Sequence, residues 1–477
     1  MSHRNLEQLD KSELIKLVKS LQNQLTQRAS AATFFRNLAL LCLGATIILI
    51  PFRSRAAVLA RPVPPIYRDY TDFVLYHSDI FLIATLIFWL VSLILKPRRL
   101  TLGPLFLSLP VAAITVFGFL SVFSSADSPL SLYHSIRLLL LDGLYLFVIN
   151  EILSFKLIFL PVGIQVFIQA AVGVAQSLKQ ASVGLQTLGE HELNPTWARI
   201  SIVGAEGSRF LRAYGLSDHP NILGGCLAFG VLMILIWYLQ SKHKILIAGL
   251  FALGAMGLFL TFSRSAWFAL FSGFLLVMAL SLKTQGRQEI QKWGSLAGAT
   301  LIVIIPFLWY HAGHVGLRLN WGNSFSEAPH ENRAVRERAL LNRAGKEIFA
   351  GDPLTGVGLG AFPQALKEAR PDWPLDYQPV HLVVLEAAAE IGLFGALSYA
   401  LAVITPWIAL GLALFGRIPL RFSMPLIGAT SLLLAVTCVG FFDYYTWLLV
   451  PGRLWAWLVW GLWGAFYNIA QQGERDD

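Results

Sequence analysis

The chain has 477 residues, 56% of them hydrophobic and only 14% charged, with a mean hydropathy of +0.61. A water-soluble core cannot absorb that apolar load, so a soluble enzyme or binding module is excluded. The apolar residues fall in blocks of about twenty, the length that crosses a bilayer as a helix. The net charge of +9 does not point to nucleic acid, because Lys and Arg gather between the apolar blocks and form no basic stripe interleaved with aromatics.

Residues 1–31 read as a cytoplasmic amphipathic helix, with Leu14, Val18, Leu21 and Leu25 at coiled-coil spacing among polar residues. This stretch is too long and polar for the n-region of a cleavable signal peptide, so the first apolar block is expected to act as an uncleaved anchor. Residues 32–470 form one polytopic membrane domain, and 471–477 a cytoplasmic tail. The spans are expected at about Thr33–Phe52, Ile80–Leu95, Gly103–Phe123, Ile136–Asn150, Phe155–Gln176, Ile222–Gln240 and Ile245–Phe262. Five more follow at about Ala266–Leu282, Gly294–Tyr310, Leu382–Phe415, Pro425–Leu449 and Leu454–Ala470. Pro406 is expected to kink the long tenth span. Cys42, Cys226 and Cys438 lie inside these blocks without CxxC spacing and suggest neither a disulfide framework nor a zinc site. The fold expected is an all-α integral membrane protein, a polytopic bundle of about 12 transmembrane helices.

The basic clusters at Lys96–Arg99, Lys242–Lys244, Lys283–Lys292 and Arg417–Arg421 all fall on one side if the N-terminus is cytoplasmic, which makes both termini cytoplasmic. Arg53, Arg55, Arg61 and Arg68 in the first external loop are the exception. The two long polar insertions, about 177–221 and 311–380, then both lie on the outer face. In the second, Glu331–Ala350 carries a broken apolar stripe ending at Gly351-Asp352-Pro353 and is expected to be a helical cap.

Three outward places concentrate polar cost. Arg212 to Asn221 is a polar turn leading into a helix, where a guanidinium beside a helix N-terminus suits an anion; the plain alternative is capping by Asp218 or Asn221. Thr261-Phe262-Ser263-Arg264 is a tight hairpin that puts Arg264 at the interface, where it either binds substrate phosphate or snorkels to headgroups. His381 opens the helix that carries Glu386 and Glu390, and a histidine there titrates near neutrality. Spacing alone does not pair it with either carboxylate.

These segments, in this order, resemble the O-antigen ligase and polymerase family of membrane glycosyltransferases, over about Ile200 to Trp457. The family's R-x-x-G-x-x-x-x-P-N turn is similar to Arg212–Asn221, its T-x-S-R to Thr261–Arg264, and its P-x-x-G-x-G to Pro353–Gly358. Its histidine motif is similar to Pro379-Val380-His381, its E-x-G-x-x-G to Glu390–Gly395, and the end of its penultimate helix to Phe442–Tyr445. Leu382 departs from the asparagine that family members often carry after the histidine.

The resemblance implies a C-type glycosyltransferase-like bundle with a periplasmic cap, in the bacterial inner membrane. It implies transfer of a glycan from a polyprenyl-diphosphate-linked donor to a hydroxyl of a lipid, protein or glycan, among membrane lipids, with no metal or other cofactor. Arg212 and Arg264 would then stabilise the diphosphate and His381 deprotonate the acceptor in a single inverting displacement. Asn221, Ser263 and, on the cap helix, Arg333, Arg336 and Arg343 would contact substrate. Ligase and polymerase are not distinguished.

Other readings compete. Asp69 and Asp72 suggest a metal-binding acid pair, and His311 with His314 a metal pair at i,i+3. A transporter of small anions or glycolipids would use Arg137 and Asp142 along a path, unless those two pair with each other or with Glu151. Transport also predicts inverted repeats and broken helices at matched positions, and neither is visible in the sequence, whereas transfer predicts polar motifs concentrated on one face, the pattern seen.

Overall fold

The protein is described by a computed structural model over residues 11–197, 199–205, 208–285, 290–319 and 329–473. Every expected span is a helix. In chain order these are α1 (Lys11–Leu49), α2 (His77–Leu95), α3 (Leu105–Leu120), α4 (Ser128–Glu151), α5 (Lys156–Lys179), α6 (Pro220–Gln240), α7 (Lys244–Leu260), α8 (Arg264–Gln285) and α9 (Ile290–Tyr310). After α10 (Ala312–Leu319), α11 (Pro329–Gly351) and α12 (Phe362–Ala369) come α13 (Val383–Leu414), α14 (Met424–Phe442) and α15 (Val450–Gly473).

Among the described residues, 10 helices are long and apolar enough to cross a membrane, and α7, at 17 residues, is a shorter apolar helix. The 24 residues of α15 bury Trp455, Trp457, Trp460 and Trp463, which carry large apolar area. Leu90, Ile94, Leu139, Phe167, Ile302 and Ile408 stand exposed around the bundle, a distribution suited to lipid rather than water. The chain is an all-α integral membrane protein. Its centre is α6, which packs against α5, α7, α8, α14 and α15 and is buried along almost its whole length.

From Lys11 the first helix runs without a break through residue 31, so the described part of the opening segment and the first span are one rod, and residues 1–10 of the expected amphipathic helix lie outside the described residues. Two small antiparallel hairpins interrupt the helical pattern. β1 (Arg55–Leu59) pairs with β2 (Phe73–Tyr76) between α1 and α2, and β3 (Ile202–Ala205) pairs with β4 (Ser208–Leu211) between α5 and α6. The cap helix is α11, close to its expected bounds. The eleventh span ends at Phe442 rather than Leu449, and 443–449 form a turn before α15.

The expected kink at Pro406 is displaced. Within α13 only Ile391 and Gly392 leave helical geometry, Gly392 with φ 72° and ψ −178°. Breaking the helix frees carbonyls that must find donors in an apolar setting. The segment following Pro353 supplies them: Val357 N–H donates to Ala389 O and Gly358 N–H to Glu390 O, both at 2.9 Å, while Leu393 N–H donates to Pro353 O at 2.8 Å. A Cβ on Gly392 would lie 2.1 Å from Leu354 O, and one on Gly356 2.5 Å from Glu390 O, so the two backbones approach only through glycine.

The exceptional arginines of the first loop are all paired. Arg53 meets Asp218 at 3.2 Å, Arg55 meets Asp69 at 2.6 Å and also Asp218, Arg61 meets Asp127 at 2.9 Å, and Arg68 meets Asp72 at 2.9 Å. Their positive charge is cancelled locally.

Candidate active site

The β3–β4 hairpin delivers Arg212 into the protein, where it is only 5% exposed. Its Nε donates to Thr261 O at 2.6 Å and its Nη2 to Asn221 Oδ1 at 2.6 Å. Asn221 in turn donates from Nδ2 to Asp443 Oδ2 at 2.8 Å. Residues from three distant parts of the chain thus form one array, at the start of α6, the end of α7 and the end of α14.

The turn between α7 and α8 is held in a conformation that side chains seldom adopt. Phe262 has φ 49° and is fully buried among Phe210, Trp267, Phe307, His311 and His314. Strain of this kind persists only where surrounding packing over-determines it. The turn carries Ser263, whose side chain is buried, and Arg264, whose Nη1 donates to Arg318 O at 3.3 Å. Arg318 Nε donates back to Phe262 O at 3.0 Å.

Neither Asp218 nor Asn221 caps α6. The cap is His219, whose Nδ1 accepts from Asn221 N–H at 3.1 Å while Nε2 lies 2.9 Å from Ser201 Oγ. Burial, then the nearby Arg212, lowers the His219 pKa to about 3, which keeps the ring neutral and able to accept. Asp218 is committed to Arg53 and Arg55 instead.

His381 stands edge-on to Tyr444, with ring centroids 5.1 Å apart at 87°, and the Tyr444 hydroxyl is 2.5 Å from that of Tyr70. Burial lowers the His381 pKa to about 4, against the upward pull of Asp443; Arg338 adds to the lowering. Its Nδ1 is buried without a protein hydrogen-bond partner among the described residues. Asp443 therefore joins the two halves of the site, bonded to Asn221 on one side and close enough to act on His381 on the other.

The cap-helix arginines are distributed differently from the expectation. Arg336 is exposed, and Arg343, 80% exposed at its side chain, pairs with Glu347 at 3.3 Å; the side chain of Arg333 lies outside the described residues. The cation of α11 whose charge reaches His381 is Arg338, and α10 brings in Arg318. Asp443, Tyr444, Arg318 and Arg338 were not among the expected site residues. Asp443 and Tyr444 fell in a recognised motif without a role, whereas Arg318 carried no signal beyond a polar break after an apolar block.

The competing sites resolve into structural contacts. Asp69 and Asp72 hold Arg55 and Arg68, and Asp72 also accepts from Arg61 N–H at 2.6 Å. His311 and His314, with centroids 5.8 Å apart, belong to the aromatic cluster around Phe262. Arg137 donates to both oxygens of Asp79 at 2.7 Å, and Asp142 accepts from Trp457 Nε1 at 2.9 Å, so these two pair neither with each other nor with Glu151.

No curated protein matches the chain. Residues 249–400, from within α7 to beyond the break in α13, match the family model described as O-antigen ligase. That stretch contains Arg264, the 353–358 loop, His381 and Glu390. Over that stretch, about a third of the chain, the protein is similar to the O-antigen ligase family, and the match supports an O-antigen ligase/polymerase assignment with glycosyl transfer as the general chemistry.

Proposed function

We propose that the protein transfers a glycan from a polyprenyl-diphosphate-linked donor to an acceptor hydroxyl at the non-cytoplasmic face of a bacterial inner membrane. The observation that carries this reading is the continuous array Arg212–Asn221–Asp443 beside His381, set against the turn that holds Arg264. A buried neutral imidazole with an unpartnered ring nitrogen suits a base awaiting a hydroxyl proton. Two guanidiniums held around the Thr261–Arg264 turn suit a diphosphate leaving group, because a planar fork binds phosphate oxygens bidentately.

In the reaction, the acceptor oxygen attacks the anomeric carbon as His381 takes its proton, and the bond to the diphosphate oxygen breaks. Charge gathers on the departing diphosphate, where Arg212 and Arg264 stabilise it, with Arg318 close behind. Inversion in one displacement needs no covalent intermediate. The cytoplasmic termini in this reading rest on the four basic clusters that fall on one side, which outvote the four arginines of the first external loop. The membrane domain, residues 32–470, is one unit in this reading, with 1–31 and 471–477 inside the cell.

Substituting His381→Ala or Arg264→Ala is expected to abolish transfer of a lipid-linked glycan while the protein inserts and accumulates at normal levels. Transfer retained by either variant would remove the role assigned to that residue. The lipid-linked species that accumulates in a deletion strain separates the two family activities: full-length polymer marks a ligase, and single repeat units mark a polymerase.

A further inference from the structure

Glu386 and Glu390 lie one turn apart on α13, immediately before its break, and both are fully buried. The transfer scheme uses neither. Each commits one oxygen to a neighbouring segment. Glu386 Oε2 accepts from Val380 N–H at 2.7 Å, and Glu390 Oε2 accepts from Trp447 Nε1 at 2.7 Å. The backbone of Glu390 holds a third segment, its carbonyl accepting from Gly358 N–H at 2.9 Å.

The other oxygen of each, Oε1, is buried with no hydrogen-bond partner among the described residues, and the two carboxyls stand one turn apart on the same helix face. Two carboxylates offer only acceptors and repel, so a pair buried this close together, with no cation on either free oxygen, holds a proton. The charged and titratable groups around the pair are Arg453 of α15, which also donates to Trp447 O, His134 of α4 at 3.2 Å from Arg453 Nη1, and Tyr444 of the turn after α14.

The three segments gripped are those that build the site. Val380 precedes His381, Trp447 closes the turn carrying Asp443 and Tyr444, and Gly358 lies in the loop that fills the break in α13. We propose that Glu386 and Glu390 form a singly protonated carboxyl clamp that positions His381 against Asp443. They are positioning residues, and their effect on transfer rests on the reading of His381 as the base. The clamp itself does not.

Glutamine separates this from an acid–base role. In Glu386→Gln the amide oxygen still accepts from Val380 N–H, and the amide N–H permanently supplies the hydrogen that the shared proton provides. Glu386→Ala removes both. Hydrogen–deuterium exchange on the purified full-length protein in detergent is expected to speed up at residues 377–382 and 353–361 in Glu386→Ala, and to stay at the wild-type level in Glu386→Gln. In transfer assays with a lipid-linked glycan, Glu386→Gln is expected to keep kcat within about 3-fold of wild type, whereas Glu386→Ala loses about 100-fold in kcat with little change in KM.

Loss of activity in Glu386→Gln comparable to that in Glu386→Ala would overturn the clamp, because it would mean that an anion is needed. Unchanged exchange in Glu386→Ala would overturn it too. If the alanine variant fails to fold, Glu386→Gln and Glu390→Gln decide alone, and faster exchange in either sinks the proposal. Failure of the transfer reading would appear separately, as activity in His381→Ala, and would leave the exchange pattern intact.

Discussion

Two buried polar clusters in this protein are built from the same chemistry and differ in completeness. At the end of α4, Glu151 is wholly buried and receives Arg36 Nε at 2.6 Å, Trp89 Nε1 at 2.6 Å and Arg98. Both carboxylate oxygens are used, and the cluster ties α1, α2 and the following loop to α4. At the start of α6, Arg212, Asn221 and Asp443 are linked in the same way, yet the imidazole next to them keeps a buried nitrogen with no partner among the described residues. A satisfied network is glue, whereas an unmet polar atom beside a satisfied network is poised for something that arrives. Buried charge alone therefore does not mark function.

The comparison breaks most sharply at Arg212. Its Nε and Nη2 address two acceptors at once, which an ammonium cannot reproduce. Arg212→Lys is expected to lower kcat by about 10²–10³-fold, the scale of losing one transition-state donor. Steady-state transfer by matched amounts of inserted protein measures it. A lysine variant with near-normal turnover would reduce Arg212 to a strut like Arg36.

The complementary substitution is Glu151→Ala. Removing the anion strands two arginines and a tryptophan N–H, a loss of about 3 kcal/mol, at the low end for a broken buried pair because both guanidiniums are partly exposed. The expected outcome is a lower unfolding midpoint and reduced yield in detergent, with transfer per folded molecule unchanged. A variant that is stable but inactive would erase the distinction between the two clusters.

How far the sequence discloses these features depends on the range of the interaction. The twelve apolar blocks and the cap helix are local patterns, and all become helices near their expected bounds. Arg212, Arg264 and His381 stand out because a polar residue at a span's end is costly wherever it points. The partnerships are not local. Arg36 meets Glu151 across 115 residues, and Asn221 meets Asp443 across 222, so no spacing announces either. The break in α13 is hidden for a related reason. Gly392 interrupts an apolar run that reads as uninterrupted helix, and only the arrival of the 353–358 loop makes the opening affordable. Pro406 gives the stronger local signal and leaves the helix regular.

The finest test concerns the field between Asp443 and His381. An imidazole must be neutral to accept a proton, and burial holds this one neutral down to about pH 4. Activity that depends on it should therefore survive mild acid, with the acidic limb of kcat/KM near 4 rather than near the 6.5 of an exposed histidine. The Asp443 carboxylate works in the opposite direction, favouring the imidazolium and raising that limb. Asp443→Asn keeps an oxygen for Asn221 and removes the charge, so the limb is expected to move to still lower pH while some activity is lost. The pH dependence of kcat/KM in wild type and Asp443→Asn reads both effects at once. A shift toward higher pH in the variant would mean that Asp443 does not act on His381, and the two halves of the site would have to be treated as separate clusters.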